Sequence, residues 1–335
     1  ARFCAARSLI RAQDRSAIPV MIDLLSEMCP QCCWQVEDVL FQVAFSTKAP
    51  SSLQQFDSAS RQKAVESWKS WWDKNRDSID LAKLSFDRPL RGYTLYCEYD
   101  GGSNDGCVWM AGRDGKSRWE IEGLVGPNDA QLLPNGRVLI AERNAGRVTE
   151  RDRKGNILWQ RDVSGGAIGC ERLTSGRTMI TTWVSILMVD HTGKEIWKYT
   201  HPRGMRHARK VRGRRILGVA ANGEVFFLSE QGKLLKRIQP QRYGKGAGYW
   251  ASAELLPNGH ILVALGSSEK VVEIDQTGKI VWEVSVPNAV HATRLRDGHT
   301  LICNFEDRVV LKLDRQGREV SRRHLRGRPF GVRHY

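Results

Sequence analysis

The chain has 335 residues, 41% of them hydrophobic and 27% charged, with a formal net charge of +15. That length is too great for one small core and suffices for a large repeat domain plus a second unit. The composition is that of a globular protein, and no apolar run approaches the roughly 20 residues a membrane helix needs. The basic balance points to an anionic partner, whether nucleic acid, a polyanionic sugar or a small anionic ligand, or serves solubility alone. No secretory leader is legible, and the start at Ala1 inside a helical pattern is expected to lie downstream of further sequence.

Residues 1–45 carry apolar side chains at helical spacing. The stripes are Phe3, Ala6, Leu9 and Ile10; then Ile18, Met21, Ile22, Leu24 and Leu25; then Val36, Val39, Leu40, Val43 and Ala44. Each follows the i, i+3/i+4, i+7 pattern of an amphipathic helix. Ser16 with Pro19, and Pro30 before the third stripe, supply start signals. A polar connector leads to a fourth predicted helix over 60–75, whose Trp68, Trp71 and Trp72 are expected to pack it onto its neighbours. Short helices in series resemble HEAT-type repeats. Isolated repeats of that kind do not bury their own faces, so the unit 1–84 is expected to dock on the remainder, on further repeats or on a protein partner. Cys29-Pro-Gln-Cys32-Cys33 has the spacing of half a zinc site or a reactive thiol pair, but no second Cys/His pair completes it, and an incidental role is favoured.

From residue 85 onward a different period takes over. A polar turn, a glycine and then an aromatic residue four positions on recur as Gly115/Trp119, Gly155/Trp159, Gly193/Trp197 and Gly278/Trp282; Lys236 replaces the aromatic after Gly232, and Ser321 replaces it after Gly317. Successive glycines are 40, 38, 39, 46 and 39 residues apart. A period near forty built from short β-type runs predicts a β-propeller. The repeat at 249–285 shows four strands: Trp250–Leu256, His260–Leu265, Lys270–Asp275 and Lys279–Ser285. The outer tryptophans should fill the wedges between blades, each burying about 150–250 Å², and the wedges at Lys236 and Ser321 should pack differently. The residues before Gly115 and after Gly317 together make one further period. The fold class predicted is therefore mainly β: a six-bladed propeller over 85–335, closed by pairing Phe330–Tyr335 with Tyr93–Tyr99, and preceded by the small helical unit.

If 93–99 and 106–113 form a hairpin centred near Gly102, Cys97 and Cys107 face each other. A cross-strand disulfide there would fit an oxidising, periplasmic or secreted setting; the alternative is two buried thiols.

Aligning the innermost strands places Asp129, Gly169, His207, Ser252, His291 and Gly331 at one level of the channel, and Gln131, Glu171, Arg209, Glu254, Thr293 and Arg333 two positions on. Two histidines, an aspartate and an arginine pair exceed what packing asks for. Three readings follow. His207, His291, Arg209 and Arg333 could bind a polar or anionic ligand as donors. His207 and His291 could act as nucleophiles with Arg209 holding an anion. Asp129, His207 and His291 could hold a divalent metal. The long loop 239–249, with Arg242, Tyr243 and Tyr249, is expected to overhang the mouth as a ligand contact. Two basic runs, 203–215 and 322–328, flank inner strands and favour an anion nearby.

The segments Asp129-Ala-Gln-Leu-Leu-Pro-Asn-Gly136 and Val271-Val-Glu-Ile-Asp-Gln-Thr-Gly278-Lys-Ile-Val-Trp282 resemble pyrroloquinoline-quinone-type and NHL-type propeller repeats. With the helical segment, the whole chain resembles uncharacterised proteins of planctomycete-type bacteria. The resemblance implies the fold and little about activity. Quinone enzymes of this kind carry eight blades and a vicinal disulfide in the propeller; Cys32-Cys33 is vicinal but lies outside it, so no quinone, and no other cofactor, is assigned. Bacterial arylsulfotransferases are similar in blade number and use channel histidines with arginine, which gives the transferase reading its form. The favoured reading is a ligand-binding or protein-interaction module.

Overall fold

The computed structural model describes residues 2–28, 33–44, 47, 49–50, 57–83, 93–102, 104–112, 115–133, 136–173, 175–240, 250–295 and 297–335. Cys29, Pro30, Cys32, Arg242, Tyr243 and Tyr249 fall outside them.

Alternating apolar runs and glycine turns produce six four-stranded antiparallel sheets. In the repeat chosen above the strands are Ala251–Leu255, Ile261–Leu265, Lys270–Ile274 and Ile280–Ser285, within a residue or two of the expected bounds. The central strands are buried on both faces because the sheets stack as blades around an axis: Leu139, Ala141 and Val148 of blade 2 share one core with Cys170, Ile180 and Leu187 of blade 3. The ring closes on itself. Arg328–His334 is the innermost strand of blade 1 and pairs with Thr94–Tyr99, which pairs in turn with Gly106–Ala111. Thr94 lies opposite His334, and Tyr335 N–H donates to the Tyr93 carbonyl at 2.9 Å. Two edges that would otherwise be open are thereby paired.

The repeat motif has a structural purpose at each position. Asp152, Asp190, Asp275 and Asp314 each accept hydrogen bonds from two turn N–H groups, as Asp275 Oδ1 does from Thr277 N (2.8 Å) and Lys279 N (3.0 Å). The tryptophan four residues past the glycine reaches the next blade's turn: Trp197 Nε1 donates to the Glu230 carbonyl and Trp282 Nε1 to the Arg315 carbonyl, both at 2.8 Å. Gly232 stands at φ +79° directly beneath Trp197, where a Cβ would come within 2.7 Å of the indole. At the two positions without an aromatic residue other side chains reach across. Lys236 Nζ donates to the Gln276 carbonyl at 2.8 Å, the acceptor equivalent to Glu230 and Arg315. Where Ser321 is too short, Arg323 Nη1 reaches the Gly115 carbonyl at 2.9 Å.

One polar hub lies inside blade 2. Glu142 is fully buried and accepts from Arg147, Arg151, Thr149 and the Val125 N–H. Burial would raise its carboxyl pKa, but the hydrogen bonds from Arg147 and Arg151 hold it below the usual range.

The helices α1 (Arg2–Arg11), α2 (Ala17–Glu27), α3 (Cys33–Val43) and α4 (Ser58–Asn75) enclose a core of their own, with Ile10, Ile18, Met21, Leu25, Leu40 and Trp68 fully buried. Trp68 and Trp71 meet edge to face at 5.3 Å, packing α4 on its neighbours. These four helices form one unit with a shared core. It also touches the propeller, where Tyr93 Oη donates to Glu37 Oε2 at 3.4 Å. Ser16 does not cap α2 with its side chain; its N–H and hydroxyl donate instead to Asp14. Among the described residues no helix is long and apolar enough to cross a membrane.

The proposed Cys97–Cys107 bridge is overturned by register. Cys107 lies opposite Glu98, and Cys97 opposite Val108. A one-residue offset turns two side chains to opposite faces of a sheet. Cys97 packs towards blade 2 and Cys107 towards blade 6, and both are free, buried thiols. Burial pushes the Cys107 thiol up to about 12.

Candidate functional site

The innermost strands bring the predicted residues to the axis in the two levels expected, but most of them are already engaged. Asp129 Oδ2 accepts the Cys170 N–H at 3.1 Å, His207 Nδ1 the Ala253 N–H at 3.2 Å and Ser252 Oγ the Ala292 N–H at 3.1 Å. One level on, Gln131 Oε1 accepts Arg172 N (2.6 Å), Glu171 Oε2 accepts Lys210 N (2.8 Å) and Glu254 Oε2 accepts Arg294 N (2.8 Å). Each side chain thus ties its blade to the free backbone N–H of the next innermost strand. These polar residues satisfy the inner edge of the ring.

Three groups stand apart from that stitching. Arg333, on the closing strand, clamps Asp129 with Nη2 at 2.8 and 3.0 Å and Nε at 3.3 Å, and donates to the Cys170 carbonyl at 3.0 Å. Burial alone would raise the Asp129 pKa; Arg333 and Arg209 together hold it below the usual range. Arg209 has no carboxylate within ion-pair distance among the described residues, and its Nε, fully buried, has no hydrogen-bond partner. Its nearest polar neighbour is His291 Nε2, 3.5 Å from Nη2, and His291 Nδ1 is likewise buried without a partner. The His207 and His291 rings meet edge to face at 6.1 Å. Burial, reinforced by the Arg209 charge, drives the His207 pKa far down and that of His291 to about 3, so both imidazoles are neutral near pH 7. Burial pushes the Glu254 carboxyl up.

The candidate metal ligands Asp129, His207 and His291 are engaged with protein partners here. Asp129 is committed to Arg333 and Cys170, His207 Nδ1 to Ala253, and among the described residues no three His, Cys, Asp or Glu side chains converge as a metal would require.

The two ends of the channel differ. At the loop end, rings from four blades converge with an arginine from a fifth. Trp250 lies 5.2 Å from Trp183, 4.8 Å from Phe330 and 6.3 Å from Phe305, and Phe305 lies 5.0 Å from Phe330. The Arg143 guanidinium stacks over Trp250 at 5.0 Å, Phe330 at 5.3 Å and Tyr99 at 5.8 Å. Sequence reasoning missed this cluster. Its signal was available: Arg143, Trp183, Ala221, Gly266 and Phe305 are equivalent residues just past the second strand of blades 2 to 6, and aligning them shows large side chains where Ala and Gly stand elsewhere.

At the turn end an open groove of about 1540 Å³ reaches the axis at Glu254, Thr293 and Tyr335 and extends outward along blades 5, 6 and 1 past Arg294, Arg315 and Arg323.

A family model of PQQ-like repeats, described as outer membrane protein assembly factor BamB, matches residues 146–297 and 182–332, together more than half of the chain. The chain belongs to this PQQ-like propeller family. Among solved structures, this PQQ-like propeller is similar to a protein of unknown function from Bacteroides caccae (TM-score 0.57, 19% identity, covering 72% of this chain and 98% of that one). It is also similar to the WD40 β-propeller domain of Doa1 (TM-score 0.54, 14% identity, 71% and 88%). BamB from Moraxella catarrhalis aligns at TM-score 0.44 and 16% identity over 70% and 88%. At these identities the likeness concerns the fold alone. No curated protein matches the chain.

Proposed function

We propose that this PQQ-like propeller is a binding module whose channel takes a small anionic ligand between Arg209 and His291. The observation that carries the reading is Arg209: a half-buried guanidinium with no ion pair among the described residues, whose fully buried Nε has no partner, beside an unpartnered His291 Nδ1. Buried charges are costly unless paired, and a carboxylate or other oxyanion would satisfy both donors. Arg333 does not share this role, because Asp129 neutralises it. The groove at the turn face borders the same ring of inner strands at Glu254 and Thr293. The family model's description as an assembly factor supports a module that works by binding, and the helical segment, with Leu9 and Val20 exposed, offers a second surface for a protein partner.

Isothermal titration with sulfate, phosphate and succinate tests the channel. Arg209→Gln is expected to weaken binding of the preferred anion by about 10- to 100-fold, the range of a lost charge-assisted hydrogen bond. The affinity should stay level from pH 6 to pH 8, since the imidazoles are already neutral there. Equal affinity in parent and variant, or no binding by the parent, would sink the reading. A steep gain in affinity below pH 6.5 would show that a protonated histidine, and not Arg209, holds the anion.

A further inference from the structure

At five of the six blade junctions the position four residues past the turn glycine carries Trp119, Trp159, Trp197, Lys236 or Trp282, each long enough to reach the next blade. At the sixth, between blade 6 and blade 1, it carries Ser321, paired with Lys312 just as Trp282 is paired with Glu273. The facing residue on the next inner strand differs as well. Arg172 and Arg294 stack over Trp159 and Trp282 at 5.3 and 4.6 Å, and the equivalent residue on the closing strand is His334. With Ser321 in the place of a long side chain the wedge is open, and Ser321, His334, Tyr96, Val310 and Arg323 all line the groove there.

Of the cations around it, Arg323 is held in place by its bond to the Gly115 carbonyl. Arg323 stacks over Tyr96 and Trp109, both at 5.9 Å, and occupies the space where a Cβ on Gly115 would stand 2.2 Å from its Nη2. Arg315 lies against Gly298, whose Cβ would fall 2.7 Å from its Nε. Among the described residues Arg315, Arg323 and Arg212 make no ion pair, whereas Arg294, Lys312 and Arg322 are paired with Glu273, Asp297 and Glu319. Cations seated in advance lose little freedom when an anion arrives.

From this we infer that the wedge between blades 6 and 1 is a docking cleft for an acidic peptide segment, which places an aromatic side chain where the repeat tryptophan is missing and its carboxylates on Arg315 and Arg323. The volume exceeds what one small anion fills. Arg323 covers the Tyr96 and Trp109 rings that bases would stack on, so a peptide fits better than a nucleic acid. The inference does not rest on the anion site at Arg209.

Fluorescence anisotropy with a short fluorescein-labelled peptide rich in Asp and Glu, carrying one central Trp, tests it. Ser321→Trp restores the repeat residue, should fold at least as well as the parent and should weaken peptide binding at least about tenfold by occupying the wedge. Arg323→Glu should weaken it as much, which keeps the test decisive if the Trp variant folds poorly. Lys236→Trp, the same restoration at the junction between blades 4 and 5, should leave binding at the parent level. Sulfate titration of Ser321→Trp reports on the channel separately and is expected to match the parent. Parent-like peptide binding by both Ser321→Trp and Arg323→Glu, equal loss in Lys236→Trp, tighter binding of a single-stranded oligonucleotide, or no peptide binding by the parent would each overturn the inference.

Discussion

Arg333→Met is expected to destabilise the propeller by about 3–5 kcal/mol, the scale for removing one partner of a buried ion pair. The substitution preserves much of the side chain's bulk but leaves Asp129 ionised beside the axis with only the Cys170 N–H as an immediate donor. It acts on the closing strand, so the loss falls on the contact that joins the two ends of the ring. Replacing both partners, Arg333→Met with Asp129→Leu, should recover a substantial part of the loss, because no charge is then stranded. Urea unfolding followed by tryptophan fluorescence provides the measurement. A single variant within about 1 kcal/mol of the parent, the range of a solvated surface pair, would show that the clamp contributes little to closure.

Glu142→Ala should cost a comparable amount. The carboxylate gathers Arg147, Arg151, Thr149 and the Val125 N–H, and Arg151 is itself buried, so deletion strands a cation and three further donors in blade 2. The milder Glu142→Gln separates charge from shape. The folded carboxyl titrates below the usual glutamate range because Arg147 and Arg151 outweigh its burial. Its contribution is then complete above the unfolded pKa of about 4.3 and is lost as pH falls through the lower folded value. Glu142→Gln should therefore narrow the stability difference between pH 7 and pH 3. Unchanged acid sensitivity in that variant would remove Glu142 as a source of the acid limb.

What was legible in the sequence follows from what repeats. The turn glycines, the aspartates before them and the tryptophans after them recur because every blade solves the same packing problem, so blade number and closure could be read by spacing. The substitutions at Lys236 and Ser321 were visible as breaks, but not their remedies: that Lys236 reaches the same carbonyl acceptor, and that Arg323 reaches across from two positions on, depends on side-chain length in three dimensions. The channel residues were placed correctly and interpreted too freely. Asp129, His207, Ser252 and Glu254 looked in excess of packing because the sequence does not show that each innermost strand has free N–H groups for its neighbour to satisfy. Arg209 could not be told from Arg333 by position; only the location of Asp129 distinguishes the neutralised cation from the unpaired one. The Cys97–Cys107 error was one residue of register, which a loop length alone does not determine.

The closing strand also has a kinetic consequence. Thr94 and His334 are 240 positions apart, whereas the other blades are built from neighbours in sequence. Bringing such distant segments together is entropically the most demanding step in the ring, and blade 1 is the one blade that a growing chain cannot finish until its last strand is available. Five blades can assemble in order while the sixth waits, so refolding should show a late phase that reports on the Trp109 and Tyr96 stack, and unfolding should begin with release of that same strand.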